Sequence, residues 1–296
     1  MTDELAARLQ QALGDDYRIE RELAAGGQSR LFLATDSALP RKVVIKLLPP
    51  ELAGPTAAER FRREIAVLVT LQHPHIVPLL ATGHSGDLLW YVMPYIPGES
   101  LAGRLTHGAL PIADALRTLF EVSDALAHAH AAAVVHRDLK PANVLFQSGH
   151  ALLADFGVAH ARLEGMRTSA GVSMSELRRS IALSSGRLTE QGFAVGTPGY
   201  MAPEQFIGDE PADARADIYS LAMLGYEMLT GRPPFAEFKG ARLMVAHFTE
   251  TAPLASEVRP EVPVAIARVL ERGMAKEPAD RYPNAAAFRD ALGSRW

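Results

Sequence analysis

The chain has 296 residues, of which 48% are hydrophobic, and its 30 basic and 34 acidic residues give a formal net charge of −4. That balance gives no support for nucleic-acid binding, where a strong basic excess is expected, and the length suits about two domains or lobes. The sequence contains no cysteine, which excludes disulfides, thiolate metal sites and a cysteine nucleophile. No apolar run reaches the length of a membrane span, and the first residues lack the features of a signal peptide, so we expect a soluble chain.

The first 33 residues predict a helix followed by two strands. Leucine recurs at every fourth position from 5 to 13 and Gly14 follows, a pattern typical of a short amphipathic helix. We expect this helix to pack on the domain or on a partner. The segment 17–33 predicts two strands joined by residues 24–29 (AAGGQS), and this connector by itself favours an ordinary hairpin turn.

Three further apolar runs extend this small sheet, and one helix lies among them. The runs are at 43–46 (VVIK), 76–81 and 88–93, and each predicts a strand. The stretch 57–71 repeats apolar residues at three- and four-residue steps, which predicts an amphipathic helix. Glu64 stands at the edge of the apolar face of that helix.

A long helix is predicted over residues 111–135, because its large apolar residues share one face. His128 and His130 near its end invite comparison with a metal site. The two histidines are only two positions apart and no third ligand follows, so we expect a structural role for both.

Two short polar runs follow this helix, and the chain is organised around them. Residues 136–143 (HRDLKPAN) combine an acid, a cation and an amide at fixed offsets, and residues 155–157 (DFG) add a carboxylate. Two apolar runs joined by residues 147–150 lie between them, which predicts a tight β-hairpin. The hairpin would hold Asn143 and Asp155 side by side at one end. An amide oxygen and a carboxylate are hard ligands of the kind that Mg²⁺ prefers.

The spacing of these runs resembles the protein-kinase signature, and further motifs in the same order extend the resemblance over about 17–292. The chain is similar to eukaryotic-like serine/threonine kinases of bacterial type. The resemblance implies an α+β, bilobal fold with a small N-lobe, made of an antiparallel sheet plus one main helix, and a larger, mostly helical C-lobe. The expected division is an N-terminal helical extension over 1–16, an N-lobe over 17–93, a hinge at 94–96 and a C-lobe over 97–296.

The resemblance places the nucleotide contacts in the N-lobe and the hinge. Residues 24–29 would be the glycine-rich loop over the ATP phosphates, but Ala24 and Ser29 stand where the family has its first and third glycines. We therefore expect a loop that still covers the phosphates but fits them less closely. In the hinge Pro94 lacks an N–H but keeps its carbonyl, so we expect the proline not to change ATP binding. The residues expected to contact the nucleotide are Leu23, Ala24, Ala25, Gly26, Gly27, Gln28, Ser29, Arg30, Leu31, Lys46, Met93, Pro94 and Ile96.

Lys46 is the residue that the family uses to hold the α- and β-phosphates, and Glu64 is its expected partner. In the rival interpretation Glu64 pairs with Arg60 or Arg63 on its own helix, an interaction of only about a few tenths of a kcal/mol. We favour the lysine partner, because the flanking motifs also match.

The resemblance also assigns the chemistry of phosphoryl transfer. Asp138 would orient the substrate hydroxyl and accept its proton, and Lys140 would stabilise the transferring group. Asn143 and Asp155 would bind Mg²⁺, with Mn²⁺ as an alternative metal.

The activation segment is expected over 155–204, which is longer than a loop without structure or function of its own should be. It ends in residues 196–204 (GTPGYMAPE), which match the family's substrate-anchoring loop and closing APE. An insert is expected at about 163–188, where the capping-box pattern SMSE at 173–176 precedes apolar residues at helical spacing. This pattern predicts a short helix near 174–183, and a disordered, serine-rich insert is the alternative.

Regulation is also assigned by resemblance. Thr189 is the expected site of autophosphorylation, and Arg137 would be the cation that receives the phosphate. Thr197 in the anchoring loop matches the serine/threonine branch, in which this threonine bonds the catalytic acid and lysine.

Three further residues are expected to support the site structurally. Asp217 would hold backbone N–H groups of the turn at 136–137. Arg281 would form a buried pair with Glu204, and half-removal of such a pair costs about 3–5 kcal/mol.

The resemblance implies an ATP-dependent enzyme that phosphorylates serine or threonine hydroxyls of proteins. We expect protein substrates, no nucleic-acid partner and no membrane contact by this chain itself, and the resemblance allows a homodimer through the small lobe. The expected location is cytoplasmic, either alone or as the cytoplasmic domain of a membrane-anchored receptor kinase. Two alternatives stay open: a pseudokinase that serves as a nucleotide-binding scaffold, and a small-molecule phosphotransferase, which would lack the anchoring loop and APE.

Overall fold

A computed structural model of the chain describes residues 2–26, 29–48, 65–156, 198–207 and 213–293. The chain divides into two compact units, Met1–Pro97 and Gly98–Trp296. Within the described ranges, no helix combines the length and apolar character needed to cross a membrane.

In its described part, the first unit contains one complete helix and a five-stranded antiparallel sheet in the order β1-β2-β3-β5-β4. Helix α1 is Thr2–Leu13, and the strands are β1 Tyr17–Gly26, β2 Ser29–Asp36, β3 Lys42–Leu47, β4 Ala81–Ser85 and β5 Leu88–Pro94. Residues 65–68, at the end of the helix predicted over 57–71, are helical.

Side-chain alternation along the strands divides this sheet into two faces. Val43, Ile45 and Leu47 of β3 belong to one apolar cluster, which α1 enters through the buried Leu9 and Leu13. Lys46 follows Ile45 and therefore lies on the opposite face of the sheet. Helix α1 thus covers the face that the candidate nucleotide residue Lys46 does not use.

One strand of the sheet differs from the sequence prediction. The strand expected at 76–81 is found instead at Ala81–Ser85, which pairs with β5. Pro78 explains part of the difference, because it has no N–H to donate to a strand ladder. Gly83 explains the rest, because a Cβ at this position would lie 2.2 Å from the Trp90 ring. Strand β4 therefore requires a glycine here, and a search for apolar runs does not detect a strand that contains this glycine.

Where the structure describes it, the second unit is mostly helical and contains one two-stranded hairpin, β6 Val144–Gln147 and β7 His150–Leu153. Its helices are α2 Leu101–Leu105, α3 Ile112–Ala131, α4 Pro203–Ile207, α5 Ala214–Thr230, α6 Ala241–Thr249, α7 Ala255–Val258, α8 Val264–Gly273 and α9 Ala285–Gly293. Short 3₁₀ turns occur at Pro141–Asn143, Pro198–Tyr200 and Pro278–Asp280.

Helix α5 is the centre of this unit, because every residue from Ala216 to Leu229 is buried. The helix begins where the Asp213 side chain accepts the Arg215 N–H at 2.8 Å, and it ends at Gly231 with φ +81°. An aspartate at the N-cap and a glycine with positive φ after the last turn are common helix ends. A helix that is buried all round can present polar side chains to several neighbouring segments.

Candidate active site

The hairpin β6–β7 places the two candidate metal ligands at one end. Ser148 and Gly149 form its turn with φ of +52° and +87°, which matches a tight type I′ connection. Beyond the last strand pair, the Ala154 N–H donates to the Asn143 carbonyl at 2.9 Å. Asn143 and Asp155 therefore lie next to each other at the open end, as the predicted hairpin requires.

Asp138 receives two side-chain donors from its own loop. Lys140 Nζ lies 2.7 Å from Asp138 Oδ2. Asn143 Nδ2 donates to the Asp138 carbonyl at 2.8 Å and approaches Oδ2 at 3.3 Å. Because the amide nitrogen of Asn143 points to Asp138, its amide oxygen points the other way and can act as a ligand.

His136 joins this loop to the segment that carries Asp155. Its buried ring places Nε2 2.9 Å from the Ala154 carbonyl and lies 4.8 Å from the Phe156 ring, centroid to centroid. The backbone at Asp155 has φ +62°, a left-handed conformation that is uncommon outside glycine. The contacts of His136 hold the chain on both sides of this residue.

Asp217 on α5 holds the start of the candidate catalytic loop, residues 136–143. Its carboxylate accepts the His136 N–H at 2.7 Å and the Arg137 N–H at 2.8 Å, and His130 Nε2 lies 2.8 Å from it. Burial by itself would raise the pKa of Asp217, but the hydrogen bond and charge of His130, followed by His136, lower it on balance. The carboxylate is therefore ionised and can accept all three contacts.

Glu204 and Arg281 form a bidentate ion pair, with Nη1–Oε1 and Nη2–Oε2 distances of 2.7 and 2.8 Å. Arg281 is 2% exposed. Its three remaining N–H groups donate to the carbonyls of Ala275, Arg215 and Lys276. All five donors of the guanidinium are thus used, which is what a buried arginine requires.

Three further residues hold parts of the site in place. The sequence predicted only an unspecified structural role for His130 and assigned no role to the other two. His130 contacts Asp217 as described, so its structural role is now specific. Buried Glu121 on α3 accepts the Ala151 N–H at 2.7 Å and lies 2.7 Å from His150 Nδ1, and this fixes β7. Gln205 on α4 donates to the Arg137 carbonyl at 2.9 Å. Each acts across 29 or more residues, and we find no local sequence signal that would have indicated them.

The nucleotide candidates in the first unit lie on or beside the central strands. Lys46 pairs in register with Leu31 and Tyr91, and its Nζ lies 5.8 Å from the Tyr91 ring centroid. The buried Met93 lies opposite Val44. Pro94 ends β5, where the missing N–H is tolerated.

The segment predicted as the glycine-rich loop is shorter than expected. Strands β1 and β2 continue through Ala24 and Ala25 and are paired as far as Gly26 and Ser29. Beside this segment, Arg30 of β2 forms a bidentate ion pair with Glu22 of β1, with Nε–Oε1 and Nη2–Oε2 distances of 2.7 and 2.6 Å. Several predicted residues lie outside the described part of the chain, namely Gly27, Gln28, Glu64, Thr189, Thr197 and the insert at 163–188 with its helix at 174–183.

The family model described as protein kinase domain matches residues 17–296, and the chain belongs to this family. The chain is 38% identical over 284 residues to the serine/threonine-protein kinase PknD of Mycobacterium tuberculosis, covering 93% of this chain and 40% of that protein. It is 38% identical over 271 residues to PknE of the same species, covering 90% of this chain and 44% of PknE. The chain thus spans less than half the length of these curated relatives.

Solved structures give the same result. The crystal structure of the M. tuberculosis PknI kinase domain superposes with a TM-score of 0.70 at 28% identity, covering 95% of each chain. These findings confirm the predicted bilobal α+β kinase fold and the predicted class, a eukaryotic-like serine/threonine protein kinase of bacterial type. Protein kinases as a family use ATP and Mg²⁺.

Proposed function

We propose that this kinase chain transfers the γ-phosphoryl group of ATP to serine or threonine hydroxyls of protein substrates, with Asp138 as the residue that orients the hydroxyl and accepts its proton. The observation that carries the proposal is the arrangement around Asp138. Lys140 Nζ and Asn143 Nδ2 both approach Oδ2, at 2.7 and 3.3 Å. Among the described residues, these side-chain donors leave Oδ1 for an incoming hydroxyl.

Lys140 would stabilise the transferring group as it moves. Its ammonium is held within 2.7 Å of the Asp138 carboxylate, so a positive charge stands beside the position of proton transfer. Phosphoryl transfer needs little covalent chemistry from the protein, and positioning together with charge stabilisation supplies most of the rate. A short loop with fixed acid and cation is suited to that task.

Asn143 and Asp155 would hold Mg²⁺, or Mn²⁺ as an alternative. Among the described residues there is no cluster of three or more histidine and acidic side chains that could hold a metal by itself. Mg²⁺ is bound in such sites by one or two protein oxygens together with phosphates, so one carboxylate and one amide oxygen fit it. The ion, when bound, neutralises charge that develops between the β- and γ-phosphates.

We assign nucleotide positioning to the first unit. Lys46, with Glu64 as its partner, would hold the α- and β-phosphates. The position of Lys46 on the middle strand of the sheet, in register with Leu31 and Tyr91, supports a fixed location for its charge. Residues 23–31 and the hinge residues Met93, Pro94 and Ile96 would form the remaining ATP contacts.

We further propose that autophosphorylation of Thr189 regulates the enzyme and that Arg137 receives the phosphate. Arg137 Nε is buried and has no hydrogen-bond partner among the described residues, so its guanidinium has donor capacity to spare. A phosphate adds nearly two negative charges and strong acceptors. Phosphopeptide mapping of active enzyme should find Thr189 modified, and an unmodified Thr189 would contradict this assignment. Thr197 as the substrate-anchoring threonine, the homodimer and the cytoplasmic location stay predictions.

The decisive experiment measures transfer and nucleotide binding separately. The purified chain, incubated with radiolabelled ATP, Mg²⁺ and a generic basic protein, should label that protein. Asp138→Asn should keep its ATP affinity but lose about 100-fold or more in turnover, the usual contribution of a catalytic base. Asp15→Asn, which changes an exposed aspartate, is the matched control and should leave both unchanged.

The scaffold alternative predicts a different outcome of the same assay. Ala24 and Ser29 replace two glycines of the phosphate loop, which is the observation that favours a chain that binds nucleotide without transfer. ATP binding by the unaltered chain without any labelling would support the scaffold. Undiminished transfer by Asp138→Asn would instead remove Asp138 as the base.

A further inference from the structure

The peptide group immediately before Asp138 is held by a side chain from outside the catalytic loop. Gln205 on α4 donates an Nε2 hydrogen to the Arg137 carbonyl at 2.9 Å. The Oε1 atom of the same side chain accepts the N–H of Ala202 at 3.0 Å. Gln205 is 8% exposed and Ala202 is fully buried. A single buried amide therefore joins the catalytic loop to the last residues of the activation segment.

The backbone that Gln205 contacts is strained. Arg137 has φ +65°, a left-handed conformation that is unfavourable for a residue with a Cβ. Such a conformation persists when neighbouring groups over-determine it. Asp217 holds the Arg137 N–H at 2.8 Å, and Gln205 holds the Arg137 carbonyl.

The two contacts on Arg137 fix different peptide groups. Asp217 binds the N–H groups of His136 and Arg137, which precede the Arg137 side chain. The Arg137 carbonyl lies in the plane that also contains the Asp138 N–H, and that N–H donates to the His136 carbonyl within the loop at 2.9 Å. Rotation of this plane would reorient Asp138, and the hydrogen bond from Gln205 opposes that rotation from outside the loop.

We propose that Gln205 is a positioning residue for phosphoryl transfer: it holds Asp138 in its reactive orientation only when the segment around Ala202 is in place. The inference rests on the proposed role of Asp138. Helix α4 itself is held by Glu204, the residue before Gln205, through the ion pair with Arg281. Two adjacent side chains of one short helix thus have separate tasks: Glu204 fixes the helix, and Gln205 transmits its position to the catalytic loop.

A glutamine is the side chain that this arrangement requires. It must accept from Ala202 and donate to Arg137 at the same time, and an amide offers both functions. Methionine has a similar length but neither function. An ionised glutamate can accept but has no hydrogen to donate, whereas a protonated glutamate can do both. Methionine at position 205 therefore removes both hydrogen bonds, whereas ionised glutamate removes only the one donated to Arg137.

The test compares Gln205→Met and Gln205→Glu with the unaltered chain in the basic-protein assay. We expect Gln205→Met to lower kcat about tenfold, because small misplacement of a catalytic group is costly, while the KM for ATP stays within about twofold. Gln205→Glu should lower kcat similarly at pH 8. Its kcat relative to the unaltered chain should then recover toward pH 5.5, as protonation restores the donor to Arg137.

A purely structural role would give another result. Phe288→Leu, which changes a fully buried core residue of α9, is the control for lost stability and should retain kcat at a temperature where it is folded. A Gln205→Met kcat within twofold of the unaltered chain would overturn the inference, as would a Gln205→Glu ratio that does not change with pH. If Gln205→Met fails to fold, the pH ratio of Gln205→Glu decides.

Asp138→Asn, assayed in parallel, separates this inference from the proposed function. If Asp138→Asn is inactive and both Gln205 variants are fully active, the positioning role fails and the catalytic role of Asp138 stands. If Asp138→Asn transfers phosphate normally, the catalytic assignment itself fails, and the positioning role fails with it.

Discussion

The two units of the chain fix their candidate functional residues with different kinds of contact. In the first unit Lys46 lies on a regular strand, and its neighbours in the strand belong to an apolar cluster that includes Leu9 of α1. In the second unit Asp138 lies on an irregular loop whose backbone groups are bound by Asp217 and Gln205. Apolar packing is non-directional and scales with buried area, whereas each hydrogen bond needs one particular partner.

This difference determines how each unit should respond to substitution. An apolar contact that is shortened leaves a cavity, and the cost depends on its size. A buried polar contact that loses one partner leaves the other unsatisfied, which costs its full desolvation penalty. We therefore expect graded stability losses in the first unit and large losses from single polar changes in the second.

The largest loss is expected when the buried ion pair of the second unit is broken. Arg281→Met removes all five donors at once and leaves Glu204, which is 19% exposed, without its counter-charge. We expect the free energy of unfolding to fall by about 3–5 kcal/mol. Urea unfolding followed by far-UV circular dichroism measures this change.

The matched control is an arginine in an exposed pair of the same unit. Arg268 contacts Glu271 at 2.8 Å, but these side chains are 60% and 39% exposed. Arg268→Met should change the unfolding free energy by about 0.5 kcal/mol or less. Equal effects of the two substitutions would mean that burial does not distinguish the pairs.

The same difference explains what the sequence could predict. The hairpin β6–β7 and the amphipathic α1 both follow from local periodicity and turn residues. The proximity of Asn143 and Asp155 follows from the hairpin. Residues that are close in sequence determine each of these features, and the structure has them where they were expected.

The supporting polar contacts could not be predicted in this way. The hydrogen bonds of His130 to Asp217, of Gln205 to Arg137 and of Glu121 to Ala151 join residues 87, 68 and 30 positions apart. No periodicity links such residues, because the contacts exist only once the helices have packed. The strand β4 escaped prediction for a related reason: its pairing with β5 depends on space at Gly83 for the Trp90 ring.

An intermediate loss is expected from the first unit. Leu9→Ala truncates a fully buried side chain in the cluster between α1 and the sheet. We expect a loss of about 2–5 kcal/mol in unfolding free energy, from lost burial together with the cavity that remains. Thermal or urea unfolding measures it, with Leu39→Ala as the control.

Leu39 is 49% exposed, so its truncation should cost about 0.5 kcal/mol or less. If Leu9→Ala costs no more than Leu39→Ala, then α1 does not stabilise the sheet. If the Leu9→Ala variant stays folded but binds ATP more weakly, then the packing of α1 also helps to position the strand that carries Lys46.

The smallest effect depends on pH and concerns a buried histidine of the second unit. His247 on α6 is fully buried, and its Nδ1 lies 2.9 Å from the Tyr219 hydroxyl, while its Nε2 is buried without a partner among the described residues. Burial, followed by the charge of Lys276, lowers the pKa of His247 from 6.5 to about 3. The folded protein therefore keeps His247 neutral where the unfolded chain would protonate it.

The sign of the effect follows from proton linkage. Between pH 6.5 and 3 the unfolded chain binds a proton that folded His247 does not, so stability is complete above pH 6.5 and falls as the pH decreases toward 3. From pH 7.5 to 5.5 the contribution amounts to about 1.4 kcal/mol. His247→Gln should remove this part of the acid sensitivity, whereas His84→Gln, at an exposed histidine of the first unit, should leave it unchanged. Urea unfolding at the two pH values measures the difference, and an unchanged slope in His247→Gln would mean that His247 is protonated in the folded protein.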